Sequence, residues 1–333
     1  MRGTSRRILA HHAWLIAAHA STSSKEYLSM AECNLLDALI EGATTEGNAY
    51  HNAILVFLFV SVLTFIVSTL SKNYSQTDKL WSIVPFIYAW IAVCDARTLL
   101  MAVLATVWGI RLTWNFHRRG GYKWPPWEGD EDYRWKEIQE GRFLKIFTHP
   151  LAWNIFNLTF ISFYQMFILL MIASPSYVAY TVAKCEPTEL KVLDGVAVVL
   201  YVTFIIVESI ADNQQFCFQS EKYRRKNAGE RLTGEFADGF KQSNMFAIVR
   251  KPNYASEQAI WISFYLFSVA ATGRAWNWSA VGWICLCLLF QTSGWFTERL
   301  TRSKYPKYDE YMKRVPLYVP NPFSVRPKMK AAR

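Results

Sequence analysis

Three stretches of the chain, residues 53–71, 151–183 and 275–297, contain no Asp, Glu, Lys or Arg. A membrane-spanning helix needs roughly 20 mostly apolar residues. The last two stretches meet or exceed that length, and the first comes close. Shorter or punctured apolar runs fill the intervals, at 80–94, 98–114, 191–210 and 254–271. The pattern predicts an all-α polytopic membrane bundle of about seven transmembrane helices. Polar residues interrupt the runs at helical spacing. Glu208, Asp212 and Gln215 follow i, i+4 and i+7, so they form one stripe where the fifth span leaves the bilayer. Arg111, Asn115 and Arg118 likewise fall along one helix face and aim polar groups inward at the membrane boundary.

Composition narrows the picture. At 333 residues the chain is long enough for two soluble domains, yet 52% of it is hydrophobic, 16% aromatic and only 19% charged, the balance of a membrane protein. It divides into a variable N-terminal leader or tail (1–50), one membrane domain (51–323) and a basic tail (324–333). Arg2, Arg6, Arg7 and the Ser/Thr-rich apolar stretch after them suit either a targeting segment or a mobile tail.

The net charge of +10 raises the question of nucleic acid. With the first span running outward to inward, alternate loops on the inner side hold 28 of the 36 Lys and Arg residues. That is the positive-inside pattern of basic loops beside anionic lipid. No aromatic-basic recognition module stands outside the spans, so nucleic acid is not the expected partner. A multi-pass membrane protein with its basic loops and C-terminus cytosolic is the expected setting. Six cysteines without a CxxC pair and six histidines without a helical ligand pair indicate neither a metal site nor a disulfide framework.

The chemistry gathers in the inner loops. From Arg111 to Trp135 the chain packs cations, aromatics and the Gly120-Gly121 turn together; the bland alternative is snorkelling arginines and an interfacial tryptophan belt. A carboxylate at the middle of a span costs about 2.5–3.5 kcal/mol, less near the boundary, so Glu208 and Asp212 mark a site or a partner unless they form a solvated helix end. In RKPNYASEQAIW (250–261), Pro252 disfavours helix at Lys251, Asn253 is an N-cap candidate and Glu257 lies one turn into the sixth span. The helix dipole helps that carboxylate by less than about 1 kcal/mol at typical sites. A ligand or a cation must do the rest. Asn253 and Glu257, one turn apart, suit a carboxamide or a ribose hydroxyl, and Arg250 and Lys251 suit phosphate.

RKPNYASE, the preceding ESIAD step, the closing YPKYDEYMKRVPLYVP, SQTDKLWSIVP and WGIRLTWNFHRRGGY with EDYRW resemble the steroid 5α-reductase superfamily, in its DUF1295 branch, over roughly residues 73–323. The resemblance implies a seven-helix membrane enzyme that binds NADPH from the cytosolic side. Such an enzyme reduces a carbon-carbon double bond conjugated to a carbonyl in a lipid or sterol-like substrate. It assigns Asn253 and Glu257 of the N-Y-x-x-E motif to the nicotinamide end and maps the aspartate that closes the preceding polar step onto Asp212; Tyr254, Arg224 and Arg250 join them as cofactor-binding candidates. Arg299, Lys304, Tyr308 and Tyr311 of the C-terminal segment fall to the phosphates and the adenosine half, and the endoplasmic reticulum is the expected membrane for such an enzyme. The superfamily draws a tyrosine and a glutamate from its N-terminal half for proton chemistry. Tyr133 with Asp132 is the candidate here, and Tyr122 its rival. The chain departs from the pattern with Lys251 where histidine is common, Ser256 where glycine is usual, Glu208 where the steroid enzymes have asparagine, and no histidine beyond His149. Two alternatives stay open: an S-adenosylmethionine-dependent methyltransferase of the isoprenylcysteine or phospholipid type, and a non-catalytic protein on a reductase-like fold.

Overall fold

The computed structural model of the chain describes residues 34–186 and 189–321, and helix is its only regular secondary structure. Most of the leader and the basic tail lie outside the described residues. The elements are α1 (Leu35–Thr44), α2 (Ala49–Ser71), α3 (Gln76–Leu80), α4 (Val84–Ile91), α5 (Ala96–His117), α6 (Tyr133–Gln139), α7 (Pro150–Ala173), α8 (Pro175–Cys185), α9 (Val192–Asn227), α10 (Glu235–Asp238), α11 (Pro252–Thr272), α12 (Ala280–Lys304) and α13 (Tyr308–Arg314).

Five of these, α2, α5, α7, α9 and α12, are long and apolar enough to cross a membrane. Length and apolarity alone therefore do not reproduce the count of seven. The run at 80–94 breaks near Ile83, and Pro85 opens the short helix α4. Val84, Tyr88 and Ala89 of α4 are buried against other helices, so the run is apolar because it is core. The run at 254–271 is a continuous helix, α11, but 14 of its 21 residues are buried. Protein surrounds it, so it carries Glu257, Gln258 and several serines that a lipid-facing helix would expose to hydrocarbon.

The outer helices show the inverse of a soluble protein. On α2, Leu55, Leu58, Phe59, Val62, Leu63, Ile66 and Leu70 face outward while Ala53, Ser61, Thr64 and Ser68 are buried. In lipid there is no hydrophobic drive between helices, so small and weakly polar residues fill the contacts and the apolar face is left to the bilayer. Where α12 crosses α7, a Cβ on Gly282 would strike the Met171 carbonyl, so only glycine permits that approach. Helix α9 has 36 residues, about 54 Å at 1.5 Å per residue, against a hydrocarbon core of roughly 30 Å. Its last turns carry Lys222, which donates to Gly239 O and the Tyr305 hydroxyl, and the more exposed Arg224 and Lys226.

The loop between α5 and α6 is latched to α3. Lys79 is buried; its Nζ donates to Gln76 Oε1 (3.2 Å), Pro126 O (3.0 Å) and Glu128 O (2.6 Å). Gln76 Nε2 reaches Trp127 O at 2.8 Å, Asn73 Nδ2 reaches Gly129 O at 3.0 Å, and the Tyr122 hydroxyl donates to Lys79 O at 2.5 Å. The SQTDK segment therefore fixes the course of the loop that follows α5. Charge-assisted hydrogen bonds contribute about 1.5–3 kcal/mol each. Lys79→Met should loosen the latch, and limited trypsin digestion in micelles should then cut faster at Lys123.

Candidate functional site

Helices α5, α9 and α11 each place polar residues at the same level of the bundle, and one guanidinium joins them. Arg111 of α5 meets Glu208 (2.6 Å) and Asp212 (2.8 Å) of α9 and lies 3.7 Å from Glu257 of α11. Asp212 is well supplied with donors. Its Oδ2 also accepts from Asn115 Nδ2 at 2.7 Å, and its Oδ1 from Arg119 at 3.3 Å and Asn253 Nδ2 at 3.4 Å. Glu257 is held by two indoles: Trp108 Nε1 donates to Oε2 at 3.0 Å and Trp261 Nε1 to Oε1 at 2.9 Å. The two rings pack edge to face at 4.8 Å. All three carboxylates are buried, while the Arg119 side chain at the rim is 42% exposed.

Helical spacing produces this convergence. Arg111 and Asn115 are one turn apart, as are Glu208 and Asp212, and Asn253 and Glu257; i and i+4 positions share a face. The predicted face of α5 is present, extended by Arg118, whose Nε donates to Asn115 Oδ1 at 3.0 Å. Asn253 is not an N-cap: Pro252 opens α11 after Lys251, and the Asn253 amide turns to Asp212. The compensation for Glu257 is a cation from another helix together with two tryptophans. Those tryptophans sit inside apolar runs, where nothing in the sequence distinguishes an indole donor from packing.

A second cluster borders the first. Arg134 grips Asp132 with two contacts of 2.8 Å and donates to Ser293 of α12 at 2.8 Å. Trp135 Nε1 donates to Asp78 Oδ2 at 2.9 Å. Burial and the neighbouring Asp132 push the Asp78 carboxyl up. Burial would raise Asp132 as well, but the Arg134 guanidinium outweighs it and holds that carboxyl below the usual range. Lys251 donates to Thr297 Oγ1 at 2.8 Å, and burial pulls its ammonium below the usual lysine range despite Tyr254 and Glu298 nearby. Arg119 lies within electrostatic reach of Asp132 and touches Asp212, so it links the two clusters.

The remaining candidates stand apart. Tyr133 is 51% exposed, with its ring under the Lys304 ammonium. Tyr122 is part of the α3 latch. Arg250 is taken up by Glu298 (2.6 Å), by the Met312 and Val315 carbonyls and, through its own N–H, by Pro316 O. Tyr308 donates to Glu298 at 3.1 Å and Tyr311 to Phe246 O at 2.5 Å. These three dock the C-terminal segment onto the bundle. Arg224 pairs with Glu221 and Glu230 on the exposed end of α9, and Arg299 lies over Trp295. Among the described residues no group of three or more His, Cys, Asp or Glu is arranged to hold a metal ion. Cys185, at the far end of the bundle, is disulfide-bonded, which the cysteine spacing did not indicate.

A family model described as a protein of unknown function, DUF1295, matches residues 64–315. The chain belongs to the DUF1295 family. The match takes in every residue of the Arg111 cluster and of the SQTDK latch. An uncharacterised protein of Schizosaccharomyces pombe is 31% identical over 307 residues, covering 86% of this chain and 85% of that protein. No solved structure matches. The DUF1295 match and the five apolar helices are compatible with an integral membrane protein whose polar residues meet inside the bundle.

Proposed function

We propose that this DUF1295 protein is a membrane-embedded reductase that uses NADPH to saturate a carbon-carbon double bond conjugated to a carbonyl in a lipid or sterol-like substrate. One observation carries the reading. Asn253 and Glu257, which the steroid 5α-reductase resemblance assigns to the nicotinamide end, and Asp212, which it adds to the cofactor site, meet in one buried cluster although they come from two helices. The donor set fits that end of the cofactor. A carboxamide finds both donor and acceptor in Asn253, whose own amide makes only a long 3.4 Å contact with Asp212. Arg119 at the rim is the exposed cation next to it. Arg250, Tyr308 and Tyr311 would act indirectly, by holding the C-terminal segment against α12.

When bound, NADPH supplies a hydride to the β-carbon of the substrate. The chain's own groups orient the reactants, exclude water and deliver the accompanying proton. The basic loops face the cytosol in this reading and the membrane is the endoplasmic reticulum. Support comes from the cation distribution and from the disulfide-bonded Cys185 at the opposite end, since such bonds persist in oxidising compartments.

Purified protein in micelles tests the proposal. Asn253→Ala and Asp212→Asn should each weaken NADPH binding about tenfold, as expected for loss of a hydrogen bond at a charged site. Tyr133→Phe should leave both binding and turnover intact, because its half-exposed ring lies under the Lys304 ammonium rather than among the groups of the Arg111 cluster. Unaltered affinity in the first two variants would favour a non-catalytic protein.

A further inference from the structure

The three carboxylates of the Arg111 cluster are not equally provided for. Asp212 has Arg111, Arg119, Asn115 and Asn253. Glu257 has two indole donors and a more distant Arg111. Among the described residues Glu208 has no neutral donor; its partner is Arg111 Nη2, 2.6 Å from Oε2 and out of line for a hydrogen bond. The same Nη2 serves Glu257, so two carboxylates converge on one amino group. Counting every charge that faces the cluster, α5 and the turn after it bring Arg111, Arg118 and the half-exposed Arg119, α9 brings Glu208 and Asp212, and α11 brings Glu257. Arg119 pairs with Asp212 and Arg118 donates to Asn115 and Asn213, so Glu208 and Glu257 share Arg111 alone, and like charges crowded at a buried site favour retention of a proton on one of them. The proton belongs on the carboxyl with the fewest donors.

Tyr201 is the independent observation. It lies two turns before Glu208 on the buried face of α9, is fully buried, and its hydroxyl has no partner. The charged groups acting on it are Glu257, Arg111 and Glu208. A buried hydroxyl beside such a cluster has a place for an acceptor that the chain does not fill.

We infer that Glu208 is a neutral, proton-bearing carboxylic acid in the resting protein and that, with the free Tyr201 hydroxyl, it forms the proton-donating end of a site for the carbonyl group of an apolar ligand. Its role in turnover rests on the reductase reading; its neutrality does not. In turnover the Glu208 O–H bond breaks, and its proton joins the substrate's α-carbon through the enolate electron pair left by hydride addition from the reduced dinucleotide. Arg111 then stabilises the carboxylate until a solvent proton restores the acid.

Infrared spectroscopy of the full-length protein in nanodiscs at neutral pH reads this directly. The carbonyl stretch of a protonated carboxylic acid should be present, shift on ¹³C-glutamate labelling of the unmutated protein, and vanish in Glu208→Gln but persist in Glu257→Gln. Labelling guards against a variant that fails to fold. With a long-chain α,β-unsaturated ketone as probe, the ketone band should shift on binding, and Tyr201→Phe should weaken that binding about tenfold. Absence of the acid band, its failure to move on labelling, its loss in Glu257→Gln instead, or unchanged probe binding in Tyr201→Phe would overturn the inference. If the acid band follows Glu208 while NADPH does not bind, the reductase reading fails and the neutral acid stands.

Discussion

Arg111→Met should leave little protein that survives extraction. The substitution keeps the length of the side chain and removes the cation shared by Glu208, Asp212 and Glu257. Breaking a buried ion pair by deleting one partner costs about 3–5 kcal/mol, because the other charge stays buried without compensation. That is a large part of the roughly 5–15 kcal/mol that separates folded from unfolded states in ordinary domains. The expected result is a strongly lowered midpoint of thermal aggregation, or loss of the monodisperse peak in size-exclusion chromatography. Arg111→Lys should fall between the two, since an ammonium cannot reproduce the fork that meets two carboxylates of α9 at once. The decisive variant is the double change Arg111→Met with Glu257→Gln. Asp212 keeps Arg119, Asn115 and Asn253, and a protonated Glu208 carries no charge to strand, so removing the one carboxylate left with only neutral indole donors should recover part of the loss, whereas adding Glu208→Gln instead should recover little. A single Arg111→Met protein that melts like the wild type would mean that the network does not hold α5, α9 and α11 together.

Much of this site is legible in the sequence because helical spacing is local information. A reader needs only i and i+4 to put Arg111 with Asn115, Glu208 with Asp212, and Asn253 with Glu257. The pairing between helices needs their rotation and depth, which packing decides. The sequence can therefore say that Glu257 requires a cation, but not that the cation is Arg111 rather than Lys251, six residues upstream. The same limit explains Arg250. A basic pair beside a site motif reads as ligand-facing, yet the chain returns some sixty residues later and offers Arg250 the Met312 and Val315 carbonyls and the Glu298 carboxylate. Trp108, Trp261 and Tyr201 are invisible for a different reason. Aromatic residues inside apolar runs serve packing in most cases, and only coordinates reveal that two of them carry a carboxylate and the third carries an unused hydroxyl. In the run at 80–94, hydropathy cannot separate an apolar surface facing lipid from one facing protein.

The opposite end of the bundle provides the second test and a control for the first. Arg97 of α5 meets Asp194 of α9 through two contacts, 2.9 Å from Nε and 3.0 Å from Nη2, and both side chains are almost completely buried. Nη2 also donates to Glu189 O at 2.7 Å, while Asp194 accepts from the Lys191 N–H at 2.7 Å and so secures the start of α9. Arg97→Met should cost about 3–5 kcal/mol for the same reason as Arg111→Met, and Arg97→Met combined with Asp194→Leu should restore much of it, since an apolar pair of similar volume replaces a buried ion pair at little or no net cost. The two ends differ in how they couple to the site. Arg97 and Asp212 share no partner and lie at opposite ends of α5 and α9, so the destabilisation of Arg97→Met and Asp212→Asn should add to within about 0.5 kcal/mol. Arg111 and Asp212 touch, so their combination should fall short of the sum by more than about 1 kcal/mol. Thermal midpoints of the three single and two double variants decide it. Additivity at both ends would show that Arg111 does not act as the hub of one network, whereas strong coupling at both ends would mean that the bundle melts through a single unit in which the site has no separate identity.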